Sequence, residues 1–305
     1  MPVCMARRFS QTIKKRITVI TSSDIKNAAK NSLISAGTTF RKDQLKTYRA
    51  AIKKETNPNA RWALEKLLEN AAIAEKNRYP LCDDTGIPHV IIEIGNRAKL
   101  QENWLQAVQE GIASGLKEMP GRPMAVKGNE VERIEQSKGL YTDPEEVIPA
   151  PITVKPISGD GMAITVLLLG GGPEIRAKTY RVFHKRSIDN VLRTASEWLI
   201  NDVKNLGCTP CVPAIGIGRT HMEASALMLE AMKEGDLLKQ SKWEKKITEW
   251  INAQKVGPLG LGGSTTALGA FIKIGPARAS GVRIVSIRPC CCVEPRRATV
   301  VLKNQ

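Results

Sequence analysis

Three separated stretches of this chain carry side chains able to hold a soft metal or move a proton. In Cys82-Asp83-Asp84-Thr85-Gly86 a thiol stands two positions before a carboxylate. A thiolate ligates iron or zinc and a carboxylate can serve as acid or base, so the two could act together. The same five residues would also make an ordinary surface turn with an incidental thiol, because Asp and Gly are turn formers. The second stretch, Asn205-Leu206-Gly207-Cys208-Thr209-Pro210-Cys211, has the spacing of a zinc half-site or a redox dithiol. A zinc ribbon needs a second such pair, and Cys290-Cys291-Cys292 does not supply one. That triplet is the third stretch. Arg296 and Arg297 just beyond it would stabilise thiolates and offset the charge of an anionic cluster or substrate.

Other residues invite weaker readings. Arg122, in the turn Pro120-Gly121-Arg122-Pro123, could clamp a carboxylate through two parallel hydrogen bonds or simply face water. Gly170, Gly171 and Gly172 at the end of an apolar strand could form an anion-binding nest or a flexible turn. The glycine-rich run Val256 to Thr266 is not a phosphate loop, since the lysine that should precede the hydroxyl is absent. Gly216-Ile217-Gly218 lacks the third glycine of a dinucleotide fingerprint. His221 at a helix start reads as a surface histidine.

The elements that must position these groups follow from periodicity and breakers. Helices are expected over Ser22 to Ser35, Asp43 to Lys54, Asn57 to Lys76, Glu102 to Lys117, Ser187 to Asn205, His221 to Lys233 and Leu238 to Lys255. In the third, Trp62, Leu64, Leu67, Leu68 and Ala72 form the apolar stripe; in the fourth, Trp104, Leu105, Val108, Ile112 and Leu116 do. Strands are expected over Val90 to Ile94, Ile152 to Ile157, Met162 to Leu169, Val212 to Gly218, Gly269 to Ile274, Val282 to Ile287 and Ala298 to Leu302. Ser158-Gly159-Asp160-Gly161 reads as the turn of a hairpin joining the second and third of these. Helices and strands thus alternate irregularly after a basic tail over residues 1–20, at a length compatible with one large domain or two small ones.

Composition narrows the classes. The chain of 305 residues is long enough for a sizeable core, and no apolar run reaches the ~18 residues of a membrane span. A formal charge of +16 suits nucleic acid, an anionic partner surface or small polyanionic substrates. With 4% aromatic residues and no aromatic platforms in the basic runs, nucleic-acid binding is disfavoured. Seven cysteines, an odd number, with no secretory leader point to a cytoplasmic protein with metal-bound or free thiols.

Taken in order, CDDTG, GRPMAV, GGG after a strand, GCTP followed by VPAIGIG, GPLGLGGSTTALG and CCCVEPRRA make a series. It resembles the alpha subunit, or N-terminal domain, of the iron-sulfur hydro-lyases that include class I fumarate hydratase and tartrate dehydratase. The resemblance implies an α+β, helix-rich single domain with mixed β-sheets over residues 21–305 and a 4Fe-4S cluster held by Cys82, Cys208 and Cys292, with one iron unligated by protein. The resemblance implies Cys292 as the third ligand, because the family's third cysteine stands four residues before an Arg-Arg pair, here Arg296-Arg297. It further implies Asp84 as the acid near the leaving hydroxyl, Arg122 as the substrate-carboxylate clamp, and Gly170, Gly171 and Gly172 as lining of the same pocket. The implied reaction is reversible hydration of a small dicarboxylic acid, fumarate/malate first and tartrate next, completed by a separate beta subunit in a hetero-oligomer. The chain departs from that pattern in three ways: it lacks the family's histidine near Ala279 or Ser280, Pro173 follows the glycines, and Cys290 and Cys291 are extra. These departures leave room for a catalytically altered iron-sulfur paralogue acting in cofactor assembly or regulation.

Overall fold

The helices begin where short polar side chains replace the missing partners of their first amides. In the computed structural model, which describes residues 19–304, Thr21 and Asp24 form a reciprocal capping box at the start of α1 (Ser22–Thr38). α2 (Lys42–Lys54) follows, and Asn57 with Pro58 opens α3 (Pro58–Asn77). Beyond lie β1 (Ile87–Gly95), α4 (Trp104–Glu118), α5 (Glu130–Glu135), β2 (Ile152–Ile157), β3 (Gly161–Leu169), α6 (Gly171–Glu174) and β4 (Lys178–Phe183). The chain continues through α7 (Ile188–Val203), β5 (Ala214–Gly218), α8 (His221–Glu234), α9 (Lys242–Asn252), β6 (Phe271–Ile274), β7 (Val282–Arg288) and β8 (Arg296–Lys303). The basic tail expected over residues 1–20 lies outside the described residues except for its last two, of which Ile20 is buried and bridges to Leu100.

Two four-stranded mixed sheets organise the fold, ordered β2-β1-β3-β8 and β4-β7-β5-β6, so the α+β expectation holds. One core lies between the first sheet and α1 with α4, filled by Ile25, Leu33, Ile92, Ile112 and Ile164. A second packs the other sheet against α2, α3, α7 and α9 through Tyr48, Leu64, Leu199, Ile215 and Phe271. α8 bridges the sheets: its Met228 and Met232 meet Ile91 and Leu167 of the first and Ala214 of the second. Each such buried aliphatic side chain contributes about 1.5–3 kcal/mol relative to exposure.

Two expectations are corrected. β2 and β3 do not form a hairpin, because β1 lies between them, parallel to β2 and antiparallel to β3. The connector crosses over the end of β1, and Gly95 makes room: a Cβ there would come 2.5 Å from the Gly159 carbonyl oxygen. The apolar stripes are also narrower than their sequence suggests. Trp62 is 54% and Leu105 41% exposed, while small Ala60, Ala63, Ala71 and Ala74 let α3 approach the core closely.

Candidate active site

The site forms where chain segments cross between the sheets. Cys82 to Gly86 join α3 to β1, Cys208 follows α7, the three glycines lead from β3 into α6, and Cys290 to Cys292 lie between β7 and β8. α3 ends at Arg78, whose left-handed φ of 56° turns the chain towards Pro80.

Asp84 is held from two sides. Its Oδ1 accepts from the Gly86 N–H at 3.2 Å and its Oδ2 from the Gly171 N–H at 2.6 Å. Arg296 donates to the Asp84 carbonyl at 2.8 Å. Gly86 sits at φ +84°, and a Cβ there would come 2.6 Å from the Arg296 Nη2, so the turn requires glycine. The glycine triplet therefore does present amides to anions. The anions are the protein's own, for Gly170 donates to Glu294 Oε1 at 2.6 Å.

Beneath this turn lies a dry ion pair. Arg288 and Glu294 are both fully buried, and Arg288 bonds Glu294 Oε2 at 3.2 Å, Glu294 Oε1 at 3.1 Å and the Gly170 carbonyl at 2.8 Å. Glu174 of α6 adds a further ion pair to Arg288. Burial alone would push the guanidinium pKa down, but Glu294 and the neighbouring anions outweigh it and the net shift is upward. Sequence reading assigned Arg288 and Glu294 no contact with the glycines, although Glu294 stood inside a motif it singled out.

The three thiol stretches converge. Cys292 donates its N–H to the Cys208 carbonyl at 2.8 Å, and the Tyr48 hydroxyl donates to the Cys292 carbonyl at 2.7 Å. Burial raises the Cys82 pKa, with Arg296 opposing and Cys291 adding to the rise. Partial desolvation also raises Cys208, although the residue is exposed, helped by the charges of Cys291 and Cys82. A hydrogen bond with Cys291, then burial, then the charges of Cys291, Cys208 and Cys82 raise Cys292, while the same bond lowers Cys291. Cys82, Cys208, Cys291 and Cys292 thus lie within electrostatic reach of one another, and all are free thiols. Cys211 and Cys290 also feel the charge of Cys291 but are fully buried in apolar packing. Cys211 is fully buried, its pKa pushed up to about 12 by burial, and bridges to Ala267; Cys290 packs against Met232. The Cys208–Cys211 half-site is accordingly not assembled, as Cys208 is exposed and Cys211 sits in the core.

Among the described residues no three His, Cys, Asp or Glu side chains are placed to hold one metal ion. Thiols that feel one another's charge without converging on a point suit a polynuclear centre better than a single zinc, whose sulfur ligands stand about 2.3 Å from one metal. Cys82, Cys208 and either Cys291 or Cys292 could hold such a centre.

Arg122 stands beside the Cys82 turn, its N–H donating to Thr85 Oγ1 at 2.6 Å, but its exposed guanidinium pairs with Asp83 at 3.0 Å. Ser280, where the expected histidine is missing, lies ahead of β7 and therefore at the opposite end of that strand from Cys290 to Cys292. Its carbonyl accepts from His184 Nε2. The hydroxyls of the glycine-rich run also meet an internal anion: Ser264 and Thr265 donate to buried Glu55.

The family model described as fumarate hydratase (Fumerase) matches residues 26–301. A Methanocaldococcus jannaschii protein, provisionally named L(+)-tartrate dehydratase subunit alpha, is 28% identical over 80% of this chain and 84% of its own length. A Geobacillus stearothermophilus protein, provisionally named fumarate hydratase class I, is 25% identical over 73% of this chain and 45% of its own. Fumarate hydratase 2 of Leishmania major is 27% identical over 72% of this chain and 40% of its own. The chain thus spans most of the first relative and less than half of the two fumarate hydratases.

Proposed function

As the chain belongs to the fumarate hydratase (Fumerase) family, we propose that it is the alpha-type subunit of a hydro-lyase that reversibly hydrates a small dicarboxylic acid, fumarate/malate or tartrate. The observation that carries the proposal is the Asp84 carboxylate, fixed by the Gly171 and Gly86 amides within the charge field of Cys82 and Cys208. The subunit alpha in the name of the Methanocaldococcus jannaschii relative supports a beta-type partner.

Cys82, Cys208 and Cys292 would hold the 4Fe-4S cluster, which supplies a Lewis acid to ease loss of hydroxide. The protein's own groups carry the rest. Each Asp84 oxygen commits one lone pair to a backbone amide and keeps another to hold or pass the proton that leaves with, or arrives from, the hydroxyl. Glu294 and Arg288 fix Gly170 and so the amide that aims Asp84. Arg122, already oriented towards a carboxylate by Asp83, can exchange that partner for a substrate carboxylate. Free thiols at each described cysteine suit a reducing cytoplasm.

The test is turnover of fumarate, malate and tartrate by the chain co-expressed with a beta-type subunit and purified anaerobically. Turnover of at least one is expected, with Asp84→Asn lowering kcat by about 10²–10⁴-fold. No turnover despite full iron content, or wild-type turnover by Asp84→Asn, would contradict the proposal; the former would favour the assembly or regulatory paralogue.

A further inference from the structure

At the end of the second sheet away from the thiols, the start of α7 and the near ends of β5, β6 and β7 enclose a cavity of about 350 Å³. Its walls are Ile188, Val191, Ile217 and Ile274, and its polar side carries His184, Arg186 and Arg283. Among the described residues no Asp or Glu lines it. A small cleft beside it shares Arg283, adds Arg278 and is likewise without carboxylates.

The histidine is already committed. Its Nδ1 accepts from the Arg186 N–H at 2.9 Å and its Nε2 donates to the Ser280 carbonyl at 2.8 Å, so both ring nitrogens serve to join two loops. Arg283 is anchored through Nη1, which donates to the carbonyls of Val282 at 2.9 Å, Ser280 at 3.2 Å and Arg278 at 3.4 Å. All three acceptors are neutral, and among the described residues neither Arg186 nor Arg283 forms an ion pair with a carboxylate. The first turn of α7, a helix of 16 residues capped by Ser187, opens at the same place.

We propose that this cavity binds a small organic phosphate, its apolar body against the isoleucines and its dianion between Arg186 and Arg283. Two guanidinium groups beside a helix N-terminus supply the positive charge and N–H donors that a phosphate dianion requires, and Asp189 of that first turn is not among the lining residues and pairs with Lys246 at 2.8 Å. The apolar walls and the volume suit an organic body rather than a bare ion. Arg283 and Arg288 are five positions apart on β7, about 17 Å at ordinary strand rise, so the site is separate from the proposed hydro-lyase centre.

Isothermal titration of the full chain with phenyl phosphate, inorganic phosphate and succinate tests this. Phenyl phosphate is expected to bind saturably at one site per chain, with the other two at least about tenfold weaker. Arg186→Asn removes a charge while tolerating the left-handed φ of 55° at that position, and Ala277→Trp fills the exposed mouth. Each should weaken phenyl phosphate at least tenfold without changing the melting temperature. Absence of saturable binding, equal affinity for inorganic phosphate or succinate, or binding retained in either variant would overturn the proposal.

Discussion

A carboxylate aimed by a backbone amide has little freedom, and Asp84 shows how a small change nearby should register. A Cβ on Gly170 would come 2.7 Å from Asp84 Oδ2, while the φ of −78° at that position is open to any residue. Gly170→Ala is therefore expected to displace the carboxylate and lower kcat by about 10²-fold, with the melting temperature little changed; steady-state kinetics beside thermal unfolding would check both. At the thiols, Cys211→Ser and Cys290→Ser should retain iron but lose about 1–3 kcal/mol by burying a hydroxyl in apolar surroundings, measured by metal analysis and denaturant unfolding. The chemistry of these residues was legible in the sequence because thiols, carboxylates and glycine turns advertise themselves by type. The Glu294 contact with Gly170 was not, since its partners are 124 positions apart and only the fold brings them together. Cys291 and Cys292 sit at the same burial, so the proposed ligand Cys292 is chosen by its place four residues before Arg296-Arg297, as in the family pattern.

Short elements rather than long ones hold the site, and the Arg288–Glu294 pair is the pin between them. It ties the end of β7 to the start of α6 and, through Gly170, to the end of β3. Glu294→Leu leaves a buried guanidinium without its main counter-charge and should cost about 3–5 kcal/mol. The double variant Arg288→Met with Glu294→Leu should recover much of that loss, which urea unfolding of both proteins would show. Helix starts were readable where caps are local, as at Thr21, Asn57, Ser187 and Thr220, which accept from their own first turns; the helix expected from Leu238 instead begins at Lys242, capped by Ser241. The placing of β1 between β2 and β3 was not readable, because pairing partners depend on which strand is apolar on both faces, and turn composition near Gly159 is silent on that.

Across the whole molecule, long-range polar contacts join parts that sequence cannot pair. Asp43 at the start of α2 bonds Arg41 through both oxygens and accepts from the Leu237 N–H at 3.0 Å, beyond α8. Burial pushes its pKa up, but the Arg41 hydrogen bond and charge outweigh this and the folded value falls below the ordinary 3.8. A depressed carboxylate stabilises the fold fully above its unfolded pKa and loses that contribution as pH falls through the folded value. The stability gap between wild type and Asp43→Asn should thus be constant from about pH 5 to 7 and narrow below about pH 4, as followed by urea unfolding at each pH. The charge of +16 was visible from composition, yet the gathering of Arg186 and Arg283 in a cavity lining that holds no carboxylate required the fold. The central claim is that loops from three parts of the chain hold one iron-sulfur centre. Iron and acid-labile sulfide in the anaerobically purified chain measure it most directly: about four of each per chain are expected, falling to near zero in Cys208→Ser, whereas iron retained in full by that variant, or zinc in its place, would contradict it.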